Sequence, residues 1–193
     1  MAALRTLSIA LGFLLLLAGK ANAQASVYAT VMGGNFGFAG DAYQNGPSWK
    51  PHTFGFTGGA FLSLITASRF KPGLDIRGTY SPGFNGGRTY TAAMRLGFVP
   101  ERAPFRPYAQ FGGGYASTQQ QNCAGPVCST NRVSGGLAQL NVGLDIRLTP
   151  QVDIRAFDYA RYSAGSAGNT SPAARSFSAG LVYHTHRQGL SSP

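Results

Sequence analysis

The sequence predicts an all-β protein: an eight-stranded antiparallel transmembrane β-barrel behind an N-terminal signal peptide. Three observations carry this. After residue 24, apolar and small polar residues alternate with period two, the spacing of strands rather than helices. The connections between these segments alternate between long polar stretches and tight turns. The polar positions are mostly Gly, Ser, Thr, Asn and Gln, with few Lys and no Glu inside the strands, whereas a soluble sandwich would turn a charge-rich face to water.

Composition agrees. The chain has 193 residues, room for one domain of ordinary size, and only 11% of them are charged. With 12% aromatic residues and ordinary apolar content it is not disordered, since disorder needs high charge and few aromatics. At the N-terminus, Arg5 precedes the apolar run "LSIALGFLLLLAG", and "ANA" at Ala21, Asn22 and Ala23 supplies the small residues of a signal-peptidase site. The apolar run is shorter than the roughly 20 residues a spanning helix requires. The expected organisation is a signal peptide over 1–23, a barrel over 24–185 and a periplasmic tail over 186–193.

The strands follow in order. The first, about 26–36, has an ambiguous phase. In the second, 53–65, Phe54, Phe56, Ala60, Leu62 and Leu64 share one face, and Thr53, Thr57 and Ser63 the other. The third, 71–80, carries "GLDIR". The fourth, 88–99, sets Tyr90, Ala92, Met94, Leu96 and Phe98 against Thr91, Ala93, Arg95 and Gly97. The fifth spans 106–117. The sixth, 133–148, is the most regular, with Ala138, Leu140, Val142, Leu144, Ile146 and Leu148 on one face. In the seventh, 151–162, the phase is open after Ala156, where a β-bulge would reconcile the pattern. The eighth spans 174–185. Long loops on one rim and short turns on the other match an outer-membrane barrel with its short turns toward the periplasm. The apolar face then meets lipid, and the small polar face fills the narrow lumen that eight strands leave.

The string "GLDIR" occurs at 73–77 and at 143–147, and "QVDIR" at 151–155. On this facing Asp75, Arg77, Arg95, Asp145, Arg147, Asp153 and Arg155 all point into the lumen, in its periplasmic half. Unpaired charge in a closed interior is expensive, so they are expected to form one ionic network that plugs the barrel. Arginine suits this, because its planar fork bridges two carboxylates and stays charged. The other reading of the same cluster is a narrow ion pathway.

The signal peptide, "RPYAQFGGGYA" at 106–116, "NVGLDIRLTPQVDIRAFDYARY" at 141–162 and the closing "SFSAGLVYHT" at 176–185 together resemble the small eight-stranded outer-membrane barrels: the OmpA transmembrane domain, OmpX and the Opa-like adhesins. The resemblance covers essentially the whole mature chain. It implies a bacterial outer-membrane location, insertion by the barrel-assembly machinery, and roles as adhesin, structural protein, small pore or lipid enzyme. One departure is that Tyr183 is followed by "HTHRQGLSSP" rather than ending the chain, which suggests an internal assembly signal.

Barrel lipases and lipid A deacylases resemble this fold and use His with Ser and an acid. Here only His52, His184 and His186 exist, and Ser163 has Arg161 beside it where a His would be wanted. "HTH" at 184–186 offers two imidazoles without a third ligand nearby and reads as a solvated strand end. No enzyme activity, cofactor or metal is expected, and no nucleic-acid partner. The function read from the sequence is a non-enzymatic surface protein with a structural or adhesion-like role. A small passive pore is the alternative, and a lipid A-modifying enzyme the weaker third. A surface ligand would meet the outer loops, through Tyr43, Trp49, Phe84 and "CAGPVC", where Cys123 and Cys128 read as a disulfide-closed loop. Trp49 and Tyr90 also fit the aromatic girdle of a membrane barrel, and "NTS" at Asn169 matches a glycosylation acceptor pattern. Lys50, Arg88, Arg132 and Arg175 fall at the outer strand ends, a basic rim suited to lipopolysaccharide phosphates. Arg69, Lys71, Arg102 and Arg106 are placed at the opposite rim.

Overall fold

The computed structural model describes residues 24–35, 53–64, 69–82, 87–101, 103–124, 127–166, 169–170 and 174–185. They form nine strands: β1 (Gln24–Asn35), β2 (Thr53–Ser63), β3 (Phe70–Ser81), β4 (Gly87–Phe98), β5 (Phe105–Ala124), β6 (Val127–Arg147), β7 (Val152–Ser166), β8 (Asn169–Thr170) and β9 (Ala174–His184). Each of β1 to β7 pairs antiparallel with the next, and β9 pairs with both β7 and β1. The ring is therefore closed by eight strands. The two-residue β8 pairs only with Gly165 and Ser166 of β7 and stands outside it.

Closure satisfies every wall strand on both sides, so the barrel has no edge. The faces are the reverse of a soluble protein's. Phe54 is 75% exposed and Met94 70%, with Val31, Phe111, Leu140 and Leu181 also open on the outside. Inside, Ser26, Thr30, Thr57, Gln110, Gln139, Asn141 and Ser178 are buried.

Most strands lie within one or two residues of the sequence expectation, with two differences. The segment read as the loop after the fifth strand is paired backbone: β5 and β6 match residue for residue from Phe105↔Ile146 up to Ala124↔Val127. Pairing to β4 stops at Thr118 and pairing to β7 at Leu137, so residues 119–124 and 127–136 continue past the wall as a two-stranded hairpin. At about 3.4 Å per residue it reaches roughly 20 Å beyond the ring. The run "STQQQNCAGPVCSTNR" gave no strand signal because polar residues occupy both alternating sets of positions, leaving no apolar face in the sequence to reveal the ladder. The stretch "AGSAGNTSP", read as a plain loop, contains β8.

The second difference resolves an open phase. Register shifts between Leu144 and Asp145 on the β6 side of β7, and between Arg155 and Asp158 on the β9 side. Ala156 and Phe157 both face outward, and Asp158, Ala160 and Tyr162 are carried inside. This is a β-bulge, in which one extra residue keeps the remainder of the strand in phase. Residues 1–23 and 186–193, read as signal peptide and tail, lie outside the described residues.

The bulge makes a contrast testable. Deleting Ala156 removes the extra residue without turning Asp158, and the protein should still fold. Deleting Val142, inside the regular part of β6, turns Asp145 onto the apolar face and should abolish folding. The measurement is the heat-dependent mobility shift on SDS gels, retained in the first variant and absent in the second.

Candidate functional site

Residues two apart in a strand share a face but stand nearly 7 Å apart, too far for close pairing within one string. The three DIR strings accordingly pair mainly across strands. Asp145 on β6 accepts from Arg95 Nη2 of β4 at 2.8 Å, and from Arg155 of β7 through Nε at 2.9 Å and Nη2 at 3.3 Å. Arg77 of β3 donates through Nη2 to Asp158 on β7 and to the Gln110 amide oxygen at 3.1 Å. Asp75 accepts from the Tyr28 hydroxyl at 3.0 Å, and that hydroxyl accepts from Arg77 Nε at 3.0 Å. Within one string, only Asp75 and Arg77 approach, at 3.9 Å.

The arginines are also stacked. The Arg155 guanidinium, 0% exposed, lies 4.2 Å from the Tyr28 ring centre and 4.8 Å from that of Tyr108. Arg95 lies 3.7 Å from the Tyr108 ring centre and 4.0 Å from that of Phe61. Cation–π contacts of this kind gain strength when water is excluded. Each tyrosine lies across a glycine of the neighbouring strand, Tyr28 opposite Gly59 and Tyr108 opposite Gly143. A Cβ at either glycine would collide with the phenol. The glycine of the second "GLDIR" thus makes room for the ring on which its own network's arginines rest.

The structure brings Asp75, Arg77, Arg95, Asp145 and Arg155 into one bonded group, whereas Asp153 belongs to a second with Arg106 and His184 and Arg147 joins neither. Arg147 is half-buried at the short-turn end, and its Nε has no partner. Directly across from it, Asp153 is occupied by Arg106 Nη1 at 2.8 Å and His184 Nε2 at 2.9 Å. Three members of the cluster were missed. Asp158 depended on the open phase of β7. Arg106, assigned to the opposite rim, is buried on Asp153. His184 is 2% exposed rather than a solvated strand end, with Nδ1 at 2.7 Å from Ser26 Oγ; its backbone NH donates to Gln151 O at 2.8 Å. His184 thus ties β1, β7 and β9 together at the short-turn end. Among the described residues, no group of three His, Cys, Asp or Glu could hold a metal ion.

The sequence that folds in this way is matched by a family model. Residues 8–184 match the outer membrane protein beta-barrel domain. The chain belongs to this family of outer-membrane β-barrels. Its place is the bacterial outer membrane. The N-terminal β-barrel domain of Pseudomonas aeruginosa OprF is similar in fold, with 14% identity over 84% of this chain and 98% of that one, at a TM-score of 0.50. Ail, the attachment invasion locus protein of Yersinia pestis, is similar at 13% identity, covering 84% of this chain and 97% of its own, at a TM-score of 0.52. A comparison with curated protein sequences finds no match.

In an outer-membrane barrel the apolar exterior is the lipid-facing band, and the short turns after β2, β4 and β6 face the periplasm. Tyr90 lies opposite Tyr115 on that exterior, half-exposed, near the long-loop rim. Arg88 and Arg175 are exposed toward that rim, Arg88 with its guanidinium 5.4 Å from the Tyr80 ring centre, while Arg132, expected at a strand end, is exposed on the projecting hairpin because β6 begins at Val127. Lys50, His52, Tyr43, Trp49, Phe84 and His186 lie outside the described residues. At the opposite rim Arg69 pairs with Glu101, both exposed. The register sets Cys123 opposite Cys128 in the projecting hairpin, and their side chains lie outside the described residues.

Two variants probe the lumen. Arg77→Leu takes from Asp158 its nearest cation, leaving it Asn141 at 3.1 Å and Arg155 Nη1 at 3.6 Å, so the cost should approach the low end of that for breaking a buried pair, on the order of 3 kcal/mol. Adding Asp158→Asn should recover part of that loss in urea unfolding from lipid vesicles, while lipid-facing Met94→Leu stays nearly silent. Gly143→Ala should destabilise by about 1–3 kcal/mol through overpacking against Tyr108, and Tyr108→Leu in the same chain should relieve the ring's share of the clash, the Phe157 carbonyl oxygen at 2.8 Å keeping the rest.

Proposed function

We propose that this outer-membrane barrel is a non-enzymatic surface protein with a plugged lumen and a structural or adhesion-like role. The observation that carries the reading is the ionic layer itself: four aspartates and the guanidinium groups of Arg77, Arg95, Arg106 and Arg155 bonded across the lumen, with Arg77, Arg95 and Arg155 packed on Tyr28, Tyr108 and Phe61. A network whose members span β1 and β3 to β7 opposes passage of solutes. What is left to meet a partner is the exterior. The hairpin beyond the ring offers a surface at the cell exterior, with Cys123 and Cys128 in the opposed register that a disulfide at its tip needs. The similarly folded Ail bears the name of an attachment protein, which is consistent with an adhesion-like role here.

The Ser26–His184–Asp153 chain has the residue types of a hydrolytic triad, but it supports a structural tie. Ser26 is fully buried, and Asp153 is shared with Arg106. A small passive pore is the second reading. It is favoured by Gln139, buried beyond the ionic layer with neither amide atom bonded to protein. The basic rim of Lys50, Arg88, Arg132 and Arg175 fits association with lipopolysaccharide, and insertion by the barrel-assembly machinery fits a chain that crosses by strands.

Planar-bilayer recording separates the two readings. The plugged barrel should show no reproducible channel, and Arg77→Leu/Asp158→Leu should not open one larger than a few small ions. A stable wild-type conductance would overturn the plug. For the surface role, bacteria displaying the protein should adhere to host-cell monolayers, and shortening the hairpin by residues 119–132 should remove adhesion while the heat-dependent gel shift persists.

A further inference from the structure

Two charges are explained neither by the lumen nor by solvation at a loop. Arg161 on β7 and Arg175 on β9 are directly opposite each other, both exposed on the outer face of the wall. Like charges in directly opposed positions of a sheet are destabilising. No described carboxylate relieves them: Asp75, Asp145, Asp153 and Asp158 lie inside, and Glu101 holds Arg69 at the other rim. Among the described residues, no other basic residue at or beyond the outer rim is set against a second one. Arg88 has Tyr80 and Ser117 as its direct partners, and Arg132 has Gln119.

What surrounds the pair points to its ligand. One step down the same face, Tyr159 and Phe177 are also direct partners, with ring centres 4.8 Å apart and Phe177 61% exposed. On the β6 side Arg161 is opposite Leu140, another exposed apolar residue. The two guanidinium groups thus stand where an apolar, lipid-facing surface gives way to the outer rim. Opposed Cβ atoms in a sheet are about 5 Å apart, which lets two planar forks close on one tetrahedral oxyanion from either side. Arginine suits this, since it binds phosphate through two parallel N–H donors.

We propose that Arg161 and Arg175 form a lipid-phosphate site: they clamp a headgroup phosphate of an outer-leaflet phosphoglycolipid of the lipid A type. Its acyl chains lie down the surface of Leu140, Tyr159 and Phe177. The site deepens the basic-rim reading and rests on it for the orientation of the barrel, but it adds Arg161 and distinguishes one built pair from charges spread around a rim. The bound phosphate relieves the repulsion, so the lipid also stabilises the β7–β9 seam.

The test uses the full chain refolded in phosphatidylcholine nanodiscs with a limiting amount of lipid A, the retained lipid being counted by native mass spectrometry. Wild type should hold lipid A at low salt and release it at high salt. Arg161→Gln/Arg175→Gln should lose retention roughly tenfold or more, with the heat-dependent gel shift intact. Arg161→Lys/Arg175→Lys, which keeps charge without the forks, should fall between. Arg88→Gln/Arg132→Gln, which removes as much charge without touching the opposed pair, should lose several-fold less lipid A than Arg161→Gln/Arg175→Gln, and dephosphorylated lipid A should bind no variant well. Undiminished retention by Arg161→Gln/Arg175→Gln would overturn the site. Equal loss in the two Gln pairs would overturn it too, leaving the diffuse basic rim standing, and silence of both pairs would remove the rim reading as well. Equal retention of dephosphorylated lipid A would make acyl chains the ligand, and displacement by equimolar inorganic phosphate would make it a free anion; each defeats the proposal.

Discussion

The contact on which the remaining structure depends is the burial of Arg155 against Asp145 and between the rings of Tyr28 and Tyr108. A closed ring of eight strands leaves a lumen that side chains must fill, with no water-rich core to absorb charge. Filling it with apolar groups would remove the contrast between the two faces that tells a membrane strand which way to turn. Polar filling keeps that contrast but requires every charge to be matched. Arg155 meets both demands, because its flat faces pack on aromatic rings while its edge donates two hydrogen bonds to one carboxylate.

Around that contact the other devices become intelligible. Gly59 and Gly143 exist where a tyrosine must lie flat on the neighbouring strand. The bulge at Ala156 and Phe157 returns Asp158 to the lumen, where Arg77 and Asn141 hold it. At the short-turn end, Asp153 gathers Arg106 and His184, and His184 reaches Ser26 on the first strand. The first and last strands of the ring are thereby tied by side chains as well as by backbone.

The exterior follows a different logic. Lipid accepts the apolar band without specificity, so the features that distinguish this barrel lie where the band ends. The β5–β6 hairpin continues pairing after its neighbours have stopped, and Arg161 and Arg175 stand together at the boundary.

Outside the first strand and the second half of β7, the sequence by itself determined which residues face in and which face out, because side-chain alternation is local: Leu140, Val142 and Leu144 report their face without reference to any other strand. It therefore also determined that Asp75, Arg95, Asp145 and Arg155 share a lumen. Their partners were decided only by the tertiary structure. Strand tilt and register bring Arg77 to Asp158 and Arg106 to Asp153 across distant parts of the chain, and a one-residue bulge sets the phase of half a strand. The hairpin beyond the wall was silent for the complementary reason. Its ladder is made of backbone hydrogen bonds, which every residue but proline supplies alike, and alternation appears in a sequence only where one face is buried in something the other is not.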